Sequence, residues 1–343
     1  MNQGLKVLHP GLHTTVQDLG RVGYQALGVP VSGALDAAAL RLGNALVGNP
    51  PGAAALEILL SGPTLEVMAE TARVAVVGPG ASLSIGDGVR VVPAWQSVVL
   101  ARGDVFRINL GRESVCAYLA VEGAIALPRV LGSASTYVRA ALGGFEGRAL
   151  RRGDVVPLAI DRAPDRVEQR LPSPPPAASE QPIRVVLGPQ QDCFTGEALA
   201  ALLDAEFHVS KSADRMGMRL DGPVLRHRRG WDIVSDAIAT GAVQVPGSGQ
   251  PILLLADHQT TGGYPKIATV VSADLAVVGR RRPSDAIRFA AVTVEEAEQL
   301  ARYDERRIAT LIASLEPVPD GGRIDLASLY AGNLISGVVT AVE

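Results

Sequence analysis

Lysine is nearly missing from this 343-residue chain: it occurs only at positions 6, 211 and 266, and arginine supplies the remaining basic groups. A lysine inside a polar loop therefore stands out from its background. Cysteine is scarcer still. Cys116 and Cys193 cannot form a disulfide framework, which points to reduced thiols and a cytoplasmic setting. No apolar run approaches the roughly 20 residues that a membrane helix needs. The opening MNQGLKVLHPGLHTT has no charged segment followed by an apolar core, so no signal peptide is expected. A net charge of -3 and a pI near 6.0 give no bulk attraction for nucleic acid or an anionic membrane surface. There is no Gly-x-x-x-x-Gly-Lys-Ser/Thr phosphate cradle, no Gly-x-Ser-x-Gly elbow and no His-Glu-x-x-His helix.

What is present is an ordinary globular balance, 47% hydrophobic and 20% charged, on a chain long enough for two cores. Short strands punctuated by Gly and Pro dominate: ARVAVVG, VRVVPAW, SVVLA, DVFRINL and AYLAVEG come first. PIRVVLG, VQVPG, QPILLLAD, IATVVS, LAVVG and AIRFAAV follow. Helices are fewer. ALDAAALRLGNALVGN has helical apolar spacing, EALAALLDAEFHV follows a Thr195 N-cap, and TVEE from Thr293 is a capping box that opens a helix to about Leu315. The reading is mainly β with some helices (α+β). Residues 161–182, rich in proline and charge, separate an amino-terminal β-barrel-like domain (1–160) from a carboxy-terminal domain (183–343). A weak echo relates them: Gly88–Pro93 resembles Gly241–Pro246, and Gly103–Ile108 resembles Ser284–Phe289.

Three segments carry chemistry. ADHQTTGGYPK, at 256–266, packs Asp257, His258, Gln259, Thr260, Thr261, Gly262, Gly263, Tyr264 and Lys266 between two apolar runs. Its acid, amide and hydroxyl groups suit an amide or carboxylate ligand, although a self-satisfied Gly-Gly turn is the plain alternative. SKSADRMGMRL, at 210–220, places Asp214 and Arg215 around a glycine, and Arg215 could hold a carboxylate bidentately or simply sit in a solvated turn. The 26-residue run 11–36 has turn chemistry and little apolar periodicity. It reads as a functional or interface loop carrying His13, Gln17, Asp18 and Arg21, or equally as an extended arm with an Asp18–Arg21 ion pair. No metal site is expected, since His258 has no partner at helical spacing.

Taken in order, GLHTTVQDLGRVGYQALGVPVSGALD, LGPQQDCF, SKSADRMGMRL and GAVQVPGSGQPILLLADHQTTGGYPKIATVVSADL closely resemble one family. It is the allophanate hydrolase subunit 2 or KipA-like group, which includes the C subunit of the ATP-hydrolysing 5-oxoprolinase. It is also similar to the carboxyltransferase domain of biotin-dependent urea carboxylase. The resemblance implies a pair of cyclophilin-like β-barrel domains. It implies hydrolysis of a small lactam, 5-oxoproline, to glutamate, with ATP handled by two partners, one KipI-like and one LamB/YcsF-like (the B and A subunits of that enzyme). Within that expectation Asp257 is the base or proton shuttle, Lys266 stabilises developing negative charge, and Tyr264 completes the catalytic set. Gln244, Gln259, Thr260, Thr261, Gly262, Gly263, Asp214 and Arg215 bind substrate. Two other activities fit the same family: carboxyl transfer to a urea-like nitrogen, with biotin arriving on another protein, or a KipA-like regulatory binding role. The chain departs from the family pattern at Arg280-Arg281-Arg282-Pro283-Ser284-Asp285, where Gln-x-x-Pro-Gly-Asp is usual, and at Ser235-Asp236-Ala237-Ile238, where a glycine is common.

Overall fold

The computed structural model describes residues 3–86, 88–176 and 181–319. Residues 177–180 of the proline-rich stretch and 320–343 of the carboxy-terminal domain lie outside them. The amino-terminal half contributes two sheets. One has the order Val155–Pro157, Gly4–His9, Thr64–Val67, Val105–Asn109, Ser82–Ile85, Arg90–Pro93. The other runs His13–Gln17, Ala55–Leu59, Cys116–Val121, Thr71–Val77, Gln96–Ala101, Gln169–Arg170, Glu316–Pro317. Side chains alternate across a strand, so Leu5, Val7, Leu65, Phe106 and Ile108 of the first sheet meet Val16, Leu56, Ile58, Val74 and Leu119 of the second in one core.

The carboxy-terminal half curls eight strands into a nearly closed barrel. Their order is Ala286–Ile287, Phe207–Asp214, Gly217–Asp221, Ile252–Leu254, Ala242–Gln244, Lys266–Val270, Ile183–Leu187, Phe289–Ala291. The two end strands are separated in the chain only by Arg288, which brings the sheet edges together. Val185, Phe207, Leu220, Val243, Leu253 and Phe289 fill its interior.

Four helices, among the described residues, cover these sheets. Asp36 caps α1 (Ala37–Leu46), and Thr195 caps α2 (Gly196–Asp204). After α3 (Leu275–Gly279), α4 (Val294–Ala313) opens with the Thr293/Glu296 capping box. No described helix is long and apolar enough to cross a membrane. Helix α1 packs on the outer face of the seven-stranded sheet through Leu40, Leu42 and Leu46, where Leu311, Ile312 and Leu315 join it. The carboxy-terminal helix thus returns to the first half, and Arg41 grips Glu305 with two bonds of 2.7 and 2.9 Å.

Several local expectations change. LAVVG is helical, because it follows a tight turn at Ser272–Asp274 whose Asp274 carboxylate is held by the Arg184 backbone N–H and guanidinium. The helix expected through Val209 stops at Asp204, since Phe207 is required in the barrel, paired with Ile287. His13–Gln17, read as irregular, is a strand in register with Ala55–Leu59. The echo between the halves survives at one turn. Ala101 N–H donates to Asp104 at 2.8 Å, and Arg282 N–H donates to Asp285 at 2.8 Å. Gly103 takes φ +87° there, and Ser284 takes +76°, a left-handed conformation that the family's usual glycine adopts without strain.

The proline-rich stretch is not free along its length. Arg73, almost wholly buried, donates to Glu122 at 2.5 Å, Glu168 at 3.0 Å, and the carbonyls of Pro164 and Arg166 at 2.9 and 2.8 Å. It straps residues 164–168 to the seven-stranded sheet. Arg73→Met should loosen this strap, so that trypsin cuts after Arg162 and Arg166 faster than in the parent protein while the fold melts cooperatively. Equal cleavage rates would show that the strap is held without Arg73.

Candidate functional site at the seam between the halves

The ADHQTTGGYPK segment divides. Gln244, Gln259, Tyr264 and Asp214 line a cavity of about 420 Å³, with Lys211 and Arg219 from one hairpin and Arg139 from the other half of the chain. Gln244 is buried on the barrel wall, and its side-chain oxygen accepts from Gln259 Nε2 at 3.2 Å. The second amide is thereby turned to one orientation, and its own oxygen takes no protein donor among the described residues. Gly262 makes this possible through proximity rather than through its dihedral freedom: a Cβ there would lie 2.8 Å from Gln244 Nε2. Neither Gly262 nor Gly263 has positive φ. Tyr264 is partly exposed and stacks obliquely on Trp231, ring centres 6.0 Å apart. Thr261 and Gly262 pair with Asp236 and Ala237 in a small two-stranded ladder, and the Thr260 carbonyl accepts from Ile238 N–H.

Lys266 is turned away from this cavity. Buried to the tip, its Nζ bonds Asp236 at 2.9 Å and the Ala237 carbonyl at 3.0 Å. The expected anion stabiliser is therefore already paired within the barrel. His258 is also occupied, between Thr240 at 3.1 Å and the Gln259 carbonyl at 2.6 Å, and burial lowers its pKa.

Arg215 and Asp257 lie deeper, in a charge chain that joins the halves. The Arg215 guanidinium meets Asp257 with bonds of 2.8 and 3.1 Å, the Gly33 carbonyl at 2.6 Å, and Glu57. Glu57 in turn accepts from Leu35 N–H at 2.9 Å and from the Tyr118 hydroxyl at 2.7 Å. Beyond Tyr118, Asp36 pairs with Arg280 at 3.2 Å. Burial alone would lower the Arg215 pKa, but the two carboxylates outweigh it and raise it above ordinary arginine. Burial pushes the Tyr118 hydroxyl upward, and Glu57 adds to the shift. Arg215, expected to clamp a ligand carboxylate, has its guanidinium donors engaged internally by Asp257, Glu57 and the Gly33 carbonyl. Asp257, expected as the base, likewise has both oxygens in bonds to Arg215.

The 13–36 arm supplies a second polar cluster beside this chain of charges. Asp18 does not pair with Arg21 as an ion pair. Its carboxylate instead accepts from the Ser133 and Ser135 hydroxyls at 2.6 Å each, from Ala134 N–H at 2.7 Å and from Gly20 N–H at 2.8 Å. Burial would raise the Asp18 pKa, but these four donors hold it below the usual carboxylate range. Gln17 and Arg21 are buried beside it, each anchored to a neighbouring carbonyl, Thr136 at 3.1 Å for Gln17 and Ser135 for Arg21.

A model of the carboxyltransferase domain, subdomain A and B, matches residues 27–291. This chain belongs to that carboxyltransferase-domain family. The C subunit of Haemophilus influenzae 5-oxoprolinase is 36% identical over 301 residues, 88% of this chain and 95% of that protein. The corresponding C subunit of Escherichia coli is also 36% identical, over 88% of this chain and 96% of that protein. The crystal structure of Kluyveromyces lactis urea carboxylase aligns with TM-score 0.83 and 31% identity over 93% of this chain, but over only 30% of that longer chain.

Within this carboxyltransferase-domain fold, sequence reasoning missed Glu57, Tyr118, Asp36, Ser133, Ser135 and Arg139. A signal existed for Glu57, a lone acid inside the buried strand ALEIL. Two outcomes follow from the geometry. Arg215→Met leaves Glu57 and Asp257 buried without their partner and should cost about 3–5 kcal/mol in urea unfolding. For Asp18, the folded pKa lies below the unfolded one, so its contribution is present above the unfolded value and lost as pH falls through the folded value. Unfolding free energy should therefore decline as pH drops below about 4, and Asp18→Asn should flatten that decline; an unchanged slope would remove Asp18 from the account.

Proposed function

We propose that this chain is the C subunit of a multi-subunit, ATP-hydrolysing 5-oxoprolinase that opens the lactam 5-oxoproline to glutamate. The supporting observation is the oriented Gln244–Gln259 amide pair at the wall of a cavity rimmed by Arg139, Lys211 and Arg219. A lactam offers one N–H and one carbonyl, which a fixed side-chain amide can read, and the substrate's carboxylate favours a cationic rim. The near full-length match to two bacterial C subunits supports the same reading.

In this reading the nucleotide step belongs to the KipI-like and LamB/YcsF-like partners, and this chain's residues bind and orient. Gln259 presents its free oxygen to the lactam N–H, while Gln244 holds Gln259 in place. Tyr264 closes the side of the cavity and can donate its hydroxyl to an oxygen. Asp257 and Lys266 act as positioning residues: the first fixes Arg215, which ties the barrel to the arm, and the second fixes the Asp236–Ala237 ladder against Gly262. Carboxyl transfer to a urea-like nitrogen is the second reading, because the same amide pair suits it and the family's name describes that chemistry. It would need biotin carried on another protein, as no Met-Lys-Met stretch occurs here.

The test is glutamate formation from 5-oxoproline and ATP by this chain with its two partners. Gln259→Ala should raise KM at least roughly tenfold, the loss of a hydrogen bond to a bound polar group, with kcat less affected. Turnover of urea that depends on a biotinylated carrier, with no glutamate formed, would replace the first reading by the second.

A further inference from the structure

Residues 222–235 connect the strand Gly217–Asp221 to the Asp236–Ala237 ladder as an irregular, largely exposed loop that is nonetheless firmly held. On one side, Arg228 N–H bonds the Cys193 carbonyl at 2.7 Å. The His227 ring bonds the Val245 carbonyl at 3.0 Å and tilts against Phe194, ring centres 5.0 Å apart. On the other, Ile233 N–H bonds the Gly263 carbonyl at 2.9 Å, and the Asp236 carboxylate is fixed by the buried Lys266. On this frame Trp231 is 50% exposed and Val234 is 92% exposed. An aromatic and an aliphatic side chain held in water on a braced loop, beside arginines, have the composition of the centre of a protein interface.

Charge adds a direction. Residues 226–235 carry three arginines against one carboxylate, Asp232. Arg228 and Arg229 are exposed and have no ion-pair partner among the described residues. Neither lines the 420 Å³ cavity, yet their loop borders it, because Trp231 stacks on Tyr264 of the cavity wall. Gly247 permits that approach: a Cβ there would lie 3.0 Å from the Trp231 ring.

We propose that this loop is the docking surface for an acidic partner protein, with Trp231 and Val234 as apolar anchors and Arg228 and Arg229 as the cationic flank, and that the docked partner closes the cavity at Tyr264. This rests on the reading of the chain as one subunit of a multi-subunit enzyme. The arginines stand on an exposed loop rather than in a cavity, which suits an extended acidic surface over a small anion. A net charge of -3 gives nucleic acid no general attraction, and a phosphate backbone would leave Val234 with nothing apolar to meet. A two-fold contact between copies of this chain would set the arginine-rich loop against itself. The braced backbone loses little freedom on docking, so the surface is pre-organised.

The two partner subunits of the proposed enzyme, titrated separately into the full chain in a calorimeter, test the surface. One should bind, with affinity falling as salt is raised. Trp231→Ala should weaken that binding at least roughly thirtyfold, the effect of removing an interface anchor. Val234→Asp, an exposed change that guards against misfolding at Trp231, should weaken it at least roughly tenfold by setting acid against acid. Arg228→Glu/Arg229→Glu should slow association and flatten the salt dependence. Val91→Asp, on the six-stranded sheet, should bind like the parent. Parental affinity in folded Trp231→Ala and Val234→Asp, or failure of both partners to bind, would overturn the surface. Self-association of the chain that Val234→Asp abolishes would overturn it too, by assigning the loop to a second copy. If complexes with Trp231→Ala and Val234→Asp assemble like the parent and turn over 5-oxoproline, the surface fails while the function stands. If partner binding depends on Trp231 and Val234 but no glutamate forms, the surface stands while the function fails.

Discussion

The Arg215 guanidinium is the contact on which the arrangement of the two halves depends. It sits on the barrel hairpin, yet its partners are Asp257 of the barrel, Glu57 of the seven-stranded sheet and the Gly33 carbonyl of the arm. A buried ion pair of this kind adds little net stability over a well-packed apolar equivalent, but it tolerates only one geometry. Three elements that are distant in the chain are brought into one register by a planar group with a fixed fork of donors. The polar loop of the barrel and the polar arm of the first half consequently face a common region.

The acidic and amide groups of the ADHQTTGGYP segment have unequal roles as a result. Asp257 and Lys266, the two most reactive types in or beside it, are the ones most completely engaged by neighbours, whereas Gln259 retains a free oxygen on a cavity wall. Polar density in a loop between buried strands arises in part because every buried polar atom needs a partner. What distinguishes binding groups from supporting groups is the residual capacity left after internal pairing.

The β-rich architecture was legible from short strand-like runs set between Gly and Pro turns, and α4 from the Thr293 capping box, because those signals are local. The motif-bearing loop was legible as a polar island. The pairing of Arg215 with Glu57, 158 positions apart, was not, since nothing in a short window records which charge will be met across a seam. LAVVG was misread for a related reason: Val-rich composition favours a strand, but the Arg184–Asp274 bonds fix the turn that starts a helix there. Ser284 shows the reverse case, in which the backbone keeps the left-handed turn of the family after the glycine has gone.

The short strand Glu316–Pro317 closes the edge of the amino-terminal sheet by pairing with Gln169–Arg170. On a ribosome, that sheet waits for its outermost member until residue 317 has been synthesised, long after its other strands have emerged. During the interval Gln169–Arg170 is an open edge with unpaired backbone groups, and sealing it late links maturation of the first half to docking of α4.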